Sequence, residues 1–464
     1  MKRIKLIAIM VSGLLASPSL FAQEKLTLQQ AIRYALENKV DAQKSRLDIA
    51  NAENKIDETR SGALPQINIS GGFTYNAIIQ KNAIDIGALG GGLPGTGGEA
   101  EAPPAAEGEE GQLVLVAFGT PWISQNVLSL DQQIFNQALF TGLKAAKTSR
   151  EFYQINNTLT EEQLIEKIAN AYYDVFQTQQ SLKTVQTNLD NTRKSMEIIR
   201  GLYESGLQKK IDLDRIRVAV TNLESQKQQT RNGLELKMNA LKFAMGMNIS
   251  NSIVLPEETF EVDLAKVYDD GNTENRTEIR LMDKQAELLT LNRKAIVAEY
   301  YPTISMTANY GLMGFSNDFF ITKPSASRWA DFSAIGLNIK IPIFNGFATR
   351  SKVRQADVDI QALKYDRIET KLALDMANEN AKSQMKNTLL VIQSNEDNVA
   401  LAKEVLTDTE NNYKNGLATL TELLDAEKAF ADAQNNYTTS LLDYKVSEIQ
   451  LIKAKGELKS LINE

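Results

Sequence analysis

The residues best placed to do chemistry are carboxylates. Glu422 and Asp425 stand three positions apart at the start of a long helix-forming stretch, and Asp212 opens the corresponding stretch in the first half of the chain. Acids in a first helical turn complement the partial positive charge of the free N–H groups there. Nothing around them points to a reaction. The chain has no His and no Cys, which removes the commonest general base, the commonest metal ligand and every thiol nucleophile. No carboxylate pair stands in a recognisable cleft motif, and no GxxxxGK[ST] loop is present to hold a nucleotide. The chain therefore reads as a protein that is not an enzyme and uses no cofactor.

The elements that carry these acids are long. From Gly346 to Tyr413 no Pro or Gly interrupts the chain, a stretch of about 100 Å if helical throughout. Residues 137–204 form a similar stretch, broken only by Gly142 and Gly201. The helix expected over 419–462 repeats every seven residues as Leu423, Phe430, Tyr437, Tyr444 and Leu451, with a small-residue column of Ala426, Ala433, Ser440 and Ser447. The first-half column is Leu213, Val220, Lys227, Leu234 and Leu241. Sustained heptads mean coiled-coil packing, and small residues let helices approach closely.

The two halves match in order. Leu64-Pro65 answers Tyr301-Pro302, Ile134-Phe135-Asn136 answers Ile343-Phe344-Asn345, and Tyr203-Glu204-Ser205-Gly206-Leu207 answers Tyr413-Lys414-Asn415-Gly416-Leu417. A first repeat over 23–247 and a second over 273–464 follow, joined by a Pro- and Gly-containing connector at 248–272. Each repeat opens with a helix. Thr27 with Gln30 forms a capping box for one over 27–61, and Asn275 with Glu278 stands in the same relation for one over 275–299.

Between the helices lie alternating segments, with strands expected at about 64–80, 122–135, 301–313 and 330–344. Ile67, Ile69, Phe73 and Tyr75 share one face, as do Ile304, Met306, Ala308 and Tyr310, then Ile335, Leu337 and Ile339, then Leu128, Leu130 and Ile134. Segments of about 9–11 residues with one oily face suit a membrane β-barrel. Four strands cannot close one, and an open edge in lipid leaves backbone groups unsatisfied. The strands must then be shared among copies of the chain. The Gly/Pro/Ala/Glu-rich insertion at 83–117 is expected to be a disordered loop on the extracellular side.

Lys2, Arg3 and Lys5, the apolar run Leu6–Leu15 and Ala22 make residues 1–22 a signal peptide. Its loss would take the formal charge from −7 to −10 by removing three cations. So acidic a chain has no footprint for nucleic acid.

These features together resemble the TolC-like outer-membrane efflux proteins. The resemblance rests on the Leu64-Pro65 and Tyr301-Pro302 strand starts and on Pro342-Ile343-Phe344-Asn345-Gly346 followed by Arg350. It rests also on the two Tyr-x-x-Gly-Leu turns and on Met245-Gly246-Met247 before Pro256. It implies a mainly α fold with membrane β, in which a homotrimer builds a 12-stranded outer-membrane β-barrel continued by a long periplasmic α-helical barrel. It implies a passive duct of a tripartite efflux or type I secretion system, set in outer-membrane lipid. Its partners would be a periplasmic adaptor (membrane fusion) protein and an inner-membrane pump of the RND or ABC type. The implied periplasmic entrance comprises Asp212, Tyr413, Gly416, Glu422 and Asp425. The implied adaptor-docking turns comprise Gly206, Leu207, Gly416 and Leu417. Copies of a carboxylate around a narrow axis would concentrate negative potential and favour cations. Where the family's gating turn carries an Arg, this chain has Ala418, and Lys209 and Lys210 offer substitute charge. The competing reading is an exported coiled-coil scaffold or adhesin without a pore, which has no need of oil-facing strands.

Overall fold

Capping chemistry sets the helix boundaries. The computed structural model describes residues 25–85, 113–117, 119–256, 273–320, 322 and 324–462; the signal-peptide expectation, the loop interior 86–112 and connector residues 257–272 lie outside them. At the first helix, α1 (Leu28–Asn38), the Thr27 hydroxyl accepts from Gln30 N–H at 3.3 Å and Gln30 Oε1 accepts from Thr27 N–H at 2.9 Å. The single helix expected over 27–61 is two, because Lys39 turns extended before α2 (Val40–Ser61). The buried Lys39 ammonium donates to the Phe243 carbonyl at 3.0 Å and sits 4.2 Å from that ring. This tertiary contact fixes a break that no local Pro or Gly signals.

Among the described residues, six strands follow the opening helices or lie between the longer ones: β1 (Gln66–Tyr75), β2 (Lys81–Asp85), β3 (Leu113–Ala117), β4 (Trp122–Phe135), β5 (Thr303–Ser316) and β6 (Arg328–Lys340). Four of them form one antiparallel sheet in the order β1-β4-β5-β6, so β1 and β6 are its open edges. β2 and β3 pair separately. Both ends of the segment expected to be disordered over 83–117 are thus ordered as a ladder.

Cross-strand register gathers the alternating apolar residues on one face. Ile67 opposes Leu130, Ile69 opposes Leu128 and Tyr75 opposes Trp122; Leu128 opposes Tyr310; Met306 opposes Leu337 and Ile304 opposes Ile339. The other face carries Asn68 opposite Ser129, Asp131 opposite Thr307, and Ser305 opposite Asn338. One expectation needs correction. A register shift between Gln133 and Phe135 drops Ile134 from the ladder, and Phe135 takes its place opposite Ile304. Such a bulge bends a strand where pairing ends, here two residues before the next helix.

That helix is α3 (Gln137–Glu204), followed by α4 (Lys210–Met245), α5 (Thr277–Val297), α6 (Ala348–Lys414) and α7 (Leu420–Lys455). The duplication is close: α4 and α7 each have 36 residues, and each stops on a left-handed glycine, Gly246 at φ 75° and Gly456 at φ 78°. A side chain at Gly246 would also meet the Asn38 carbonyl oxygen at 3.1 Å. The expected box at Asn275 is absent. Glu278 instead takes the buried Arg276 guanidinium, with Nη2–Oε1 at 2.6 Å and Nε–Oε2 at 3.1 Å.

The chain forms two compact units. Residues 52–150 and 286–361 form one, which holds the sheet. The described residues up to Asn51, within 151–285 and from Ala362 onward form the other. The main core of the helical unit joins Ile32 and Ala35 of α1, Ile165, Ile168 and Tyr172 of α3, Leu241 and Met245 of α4, and Ile449 of α7. Each such large apolar side chain contributes about 1.5–3 kcal/mol on full burial. The small-residue column of α7 (Ala426, Ala433, Ser440 and Ser447) is buried throughout.

Candidate functional site

Two sequence-equivalent turns carry the residues singled out by their spacing. Two residues beyond the ends of α3 and α6 stand Gly206 (φ 75°) and Gly416 (φ 74°), in a backbone region that costs glycine little. In the first turn Gly206 N–H donates to Tyr203 O at 2.9 Å and Leu207 N–H to Leu202 O at 2.8 Å. In the second, Gly416 N–H donates to Tyr413 O at 3.0 Å and Leu417 N–H to Asn412 O at 2.8 Å. These paired bonds satisfy the last helical carbonyls. They leave Leu207 75% and Leu417 78% exposed, so each rigid turn presents one leucine to its surroundings.

Behind the turns, Ile199 of α3, Leu213 and Ile216 of α4 and Leu420 of α7 form a small buried cluster, with Met196, Tyr413 and Leu424 packed against it. Two polar links join the repeats here. Gln208 Nε2 donates to the Tyr413 hydroxyl at 3.0 Å. Arg215 Nη1 donates to the Thr421 hydroxyl at 3.3 Å and lies 3.9 Å from Asp212. The links run through Gln208 and Arg215, and not through Lys209 or Lys210, both of which are exposed. Sequence reasoning missed both linking residues, because which side chains cross from one turn to the other depends on helix rotation.

The two helix starts differ. α7 has a full capping box: Glu422 N–H donates to the Thr419 hydroxyl at 3.3 Å, and the Glu422 carboxylate accepts from Thr419 N–H at 2.6 Å and from its hydroxyl at 3.0 Å. The Thr419 backbone N–H, then its hydroxyl, hold this carboxyl below the ordinary range. At the equivalent start of α4, Lys209 occupies the cap position with no side-chain bond, and Asp212 is half-buried. Glu422 and Asp425 are therefore not alike. Glu422 is turned onto its own helix start, whereas Asp425 is exposed on the wall of a groove of about 460 Å³ between α3, α4 and α7, shared with Lys428 and Asp432.

A third acid stands deeper. Glu427 is 7% exposed and accepts from Thr192 Oγ1 at 2.9 Å and Ser195 Oγ at 3.0 Å, both on α3. Burial raises its pKa more than those two hydroxyls lower it, and Glu410 adds to the rise. A signal was present in sequence: Glu427 lies four residues after Leu423 and three before Phe430, on the face that the heptad marks as packed.

Known proteins share this architecture. Residues 31–247 and 273–457 match the family described as outer membrane efflux protein. Outer membrane protein TolC of Vibrio cholerae is 22% identical over 87% of this chain and 84% of its own length. TolC of Escherichia coli is 20% identical over 98% and 87%. Among solved structures, the outer membrane protein VceC of Vibrio cholerae has a TM-score of 0.69 at 17% identity, covering 92% of this chain and 96% of VceC. The CmeC outer membrane channel of Campylobacter jejuni has a TM-score of 0.70 at 16% identity, covering 93% of this chain and 85% of CmeC. With both repeats matched and the fold shared across nearly the whole chain, this outer-membrane protein belongs to the outer membrane efflux protein family.

Proposed function

We propose that three copies of this chain assemble into a passive duct through the outer membrane, with the paired turns as its periplasmic entrance. The observation that carries the reading is the sheet. It has two open edges and one apolar face on which Ile69 is 81% and Ile335 is 82% exposed in the single chain. Unpaired edges in lipid cost several kcal/mol per group, and edge β1 of one copy against edge β6 of the next closes a ring without leaving any. Three copies of four strands make twelve, an ordinary size for such a barrel.

At the entrance, the Gln208–Tyr413 and Arg215–Thr421 links and the small cluster beneath them hold the two turns together. They take the place of an arginine-centred lock at Ala418. Exposed Leu207 and Leu417 offer paired apolar knobs to a helical adaptor, and the adaptor would connect the duct to an energised inner-membrane pump. Asp425, with its carboxylate unspent on capping, is the acid that lines the path. Family members named as antibiotic and toluene efflux components make efflux of small apolar molecules the first cargo to test.

The test is isolation from outer membranes followed by planar-bilayer recording. A trimer that conducts, and conducts more when Tyr413→Phe and Gln208→Ala are combined, supports the reading. A soluble rod, or a monomer with no conductance, removes it.

A further inference from the structure

Glu427 is unused by anything above, and its surroundings are unusual. It is a carboxylate nearly without solvent contact, held by two hydroxyls and paired with no cation among the described residues. It lies at the contact between α3 and α7, one helical turn past Leu423, which packs on the same seam. Hollows flank it on both sides. One is the groove between α3, α4 and α7; the other, of about 430 Å³, lies between α3, the end of α6 and the start of α7, and Tyr413 lines it. Both hollows include Glu427 in their lining, so the acid borders open space on the α3–α7 contact.

We infer that Glu427 is a proton-responsive gating residue: neutral, it lets α7 seat against α3, and ionised, it favours a hydrated, separated contact. The inference rests on the reading of the paired turns as an entrance.

The chemistry is that of a buried acid. A carboxylate at this position accepts two hydroxyl hydrogens but has no counter-ion, so removing it from water is unfavourable. Once protonated, its own O–H can donate to one hydroxyl while the other continues to donate to it, and the site is then satisfied without charge. The charged groups facing it do not reverse this. From α6 come Glu410, which disfavours the anion, and Lys414, whose ammonium lies 3.9 Å from Glu410. From α3 comes Lys194, exposed at the rim of the second hollow. From α7, Asp425, Lys428 and Asp432 line the first groove and leave it one net negative charge, which does not favour the anion, and α4 contributes no charged group to its lining. Burial raises the pKa of Glu427 above the usual 4.5, so the seated contact binds the proton more tightly than the separated one. Seating is then favoured in acid and weakens as pH rises through the raised value.

The experiment is planar-bilayer recording of the full-length protein as the pH is lowered stepwise from about 7.5 to about 4.5, the ordinary carboxyl range. Wild type is expected to lose conductance on acidification. Glu427→Gln keeps the shape and the neutral state, and should show the acid-form conductance at every pH. Ser195→Ala removes one of the bonds that favour the anion, and should move the midpoint up by about one pH unit, a tenfold change in the proton equilibrium. A wild-type response retained in Glu427→Gln overturns the inference. Infrared difference spectra add a readout independent of conductance: a protonated-carboxyl band that titrates in wild type and is missing in Glu427→Gln. If Tyr413→Phe and Gln208→Ala leave conductance unaltered, the entrance reading fails even though the band titrates. If they alter it and the band is unchanged by Glu427→Gln, only the role of Glu427 fails.

Discussion

Gln208 reaches from the loop after α3 to the hydroxyl of Tyr413 in the last turn of α6, 205 positions further along the chain, and its amide donates to that hydroxyl at 3.0 Å. The bond joins the two repeats just behind the glycine turns, and it uses a residue from neither helix interior. Arg215, in the second turn of α4, to Thr421, at the start of α7, makes a second tie. The paired turns are thus cross-braced by two modest bonds over a small apolar cluster, an arrangement that would let the proposed entrance open without unfolding.

A neutral hydrogen bond contributes about 0.5–1.5 kcal/mol net, so removing the Tyr413 hydroxyl should move a closed-to-open equilibrium about two- to tenfold. Tyr413→Phe and Gln208→Ala are expected to raise the open fraction by similar amounts, and the double variant by no more than either alone. Single-channel recording of the three variants provides the cycle that isolates the pair. Full additivity would mean that the two side chains act separately.

The unequal helix starts make a stability prediction. Lys209 leaves the cap of α4 unfilled, whereas Thr419 fills that of α7. A good cap contributes about 0.5–2 kcal/mol. Lys209→Asp should therefore slow amide hydrogen exchange at Ile211 and Asp212, and Thr419→Ala should speed it at Thr421 and Glu422. The depressed carboxyl of Glu422 adds a pH dependence. Its contribution to the α7 start is present above 4.5 and is lost as pH falls through the lowered value, so exchange at the α7 start, corrected for intrinsic rates, should rise in strong acid.

Cation block separates two acids that look alike in sequence. Glu422 spends its carboxylate on Thr419, and Asp425 does not. Asp425→Asn is expected to weaken block by added di- or trivalent cations more than Glu422→Gln does, while Glu422→Gln should affect helix stability more. Equal loss of block in both would mean that the capping box opens in the conducting state.

Much of this structure was written in residue pattern. Period-two runs gave the four sheet strands, seven-residue columns gave the buried seam of α7, and Tyr-x-x-Gly-Leu marked both turns, because each of these depends on neighbours close in sequence. What escaped has the opposite character. The break at Lys39 is set by Phe243, the ladder slip at Ile134 by its partner strand, and the ties at Gln208 and Arg215 by residues of the other repeat. Glu427 lay between these cases: an acid on a packed face was visible, but only the α3 hydroxyls show how it is held.

The chain carries its own probe of membrane contact. Its two tryptophans, Trp122 and Trp329, both fall on the apolar face of the sheet, Trp122 opposite Tyr75 and Trp329 opposite Gly314. They join one aromatic cluster, with Trp122 4.7 Å from the Tyr75 ring and Trp329 5.5 Å from Phe320. Aromatic rings of this kind collect at the margins of membrane barrels. In proteoliposomes, lipids brominated on the acyl chain near the headgroup should quench the intrinsic emission strongly, and lipids brominated near the methyl end much less. Because no other tryptophan contributes, the signal needs no correction for the helices. Emission indifferent to both lipids would place this face against protein or water and remove the barrel on which the duct depends.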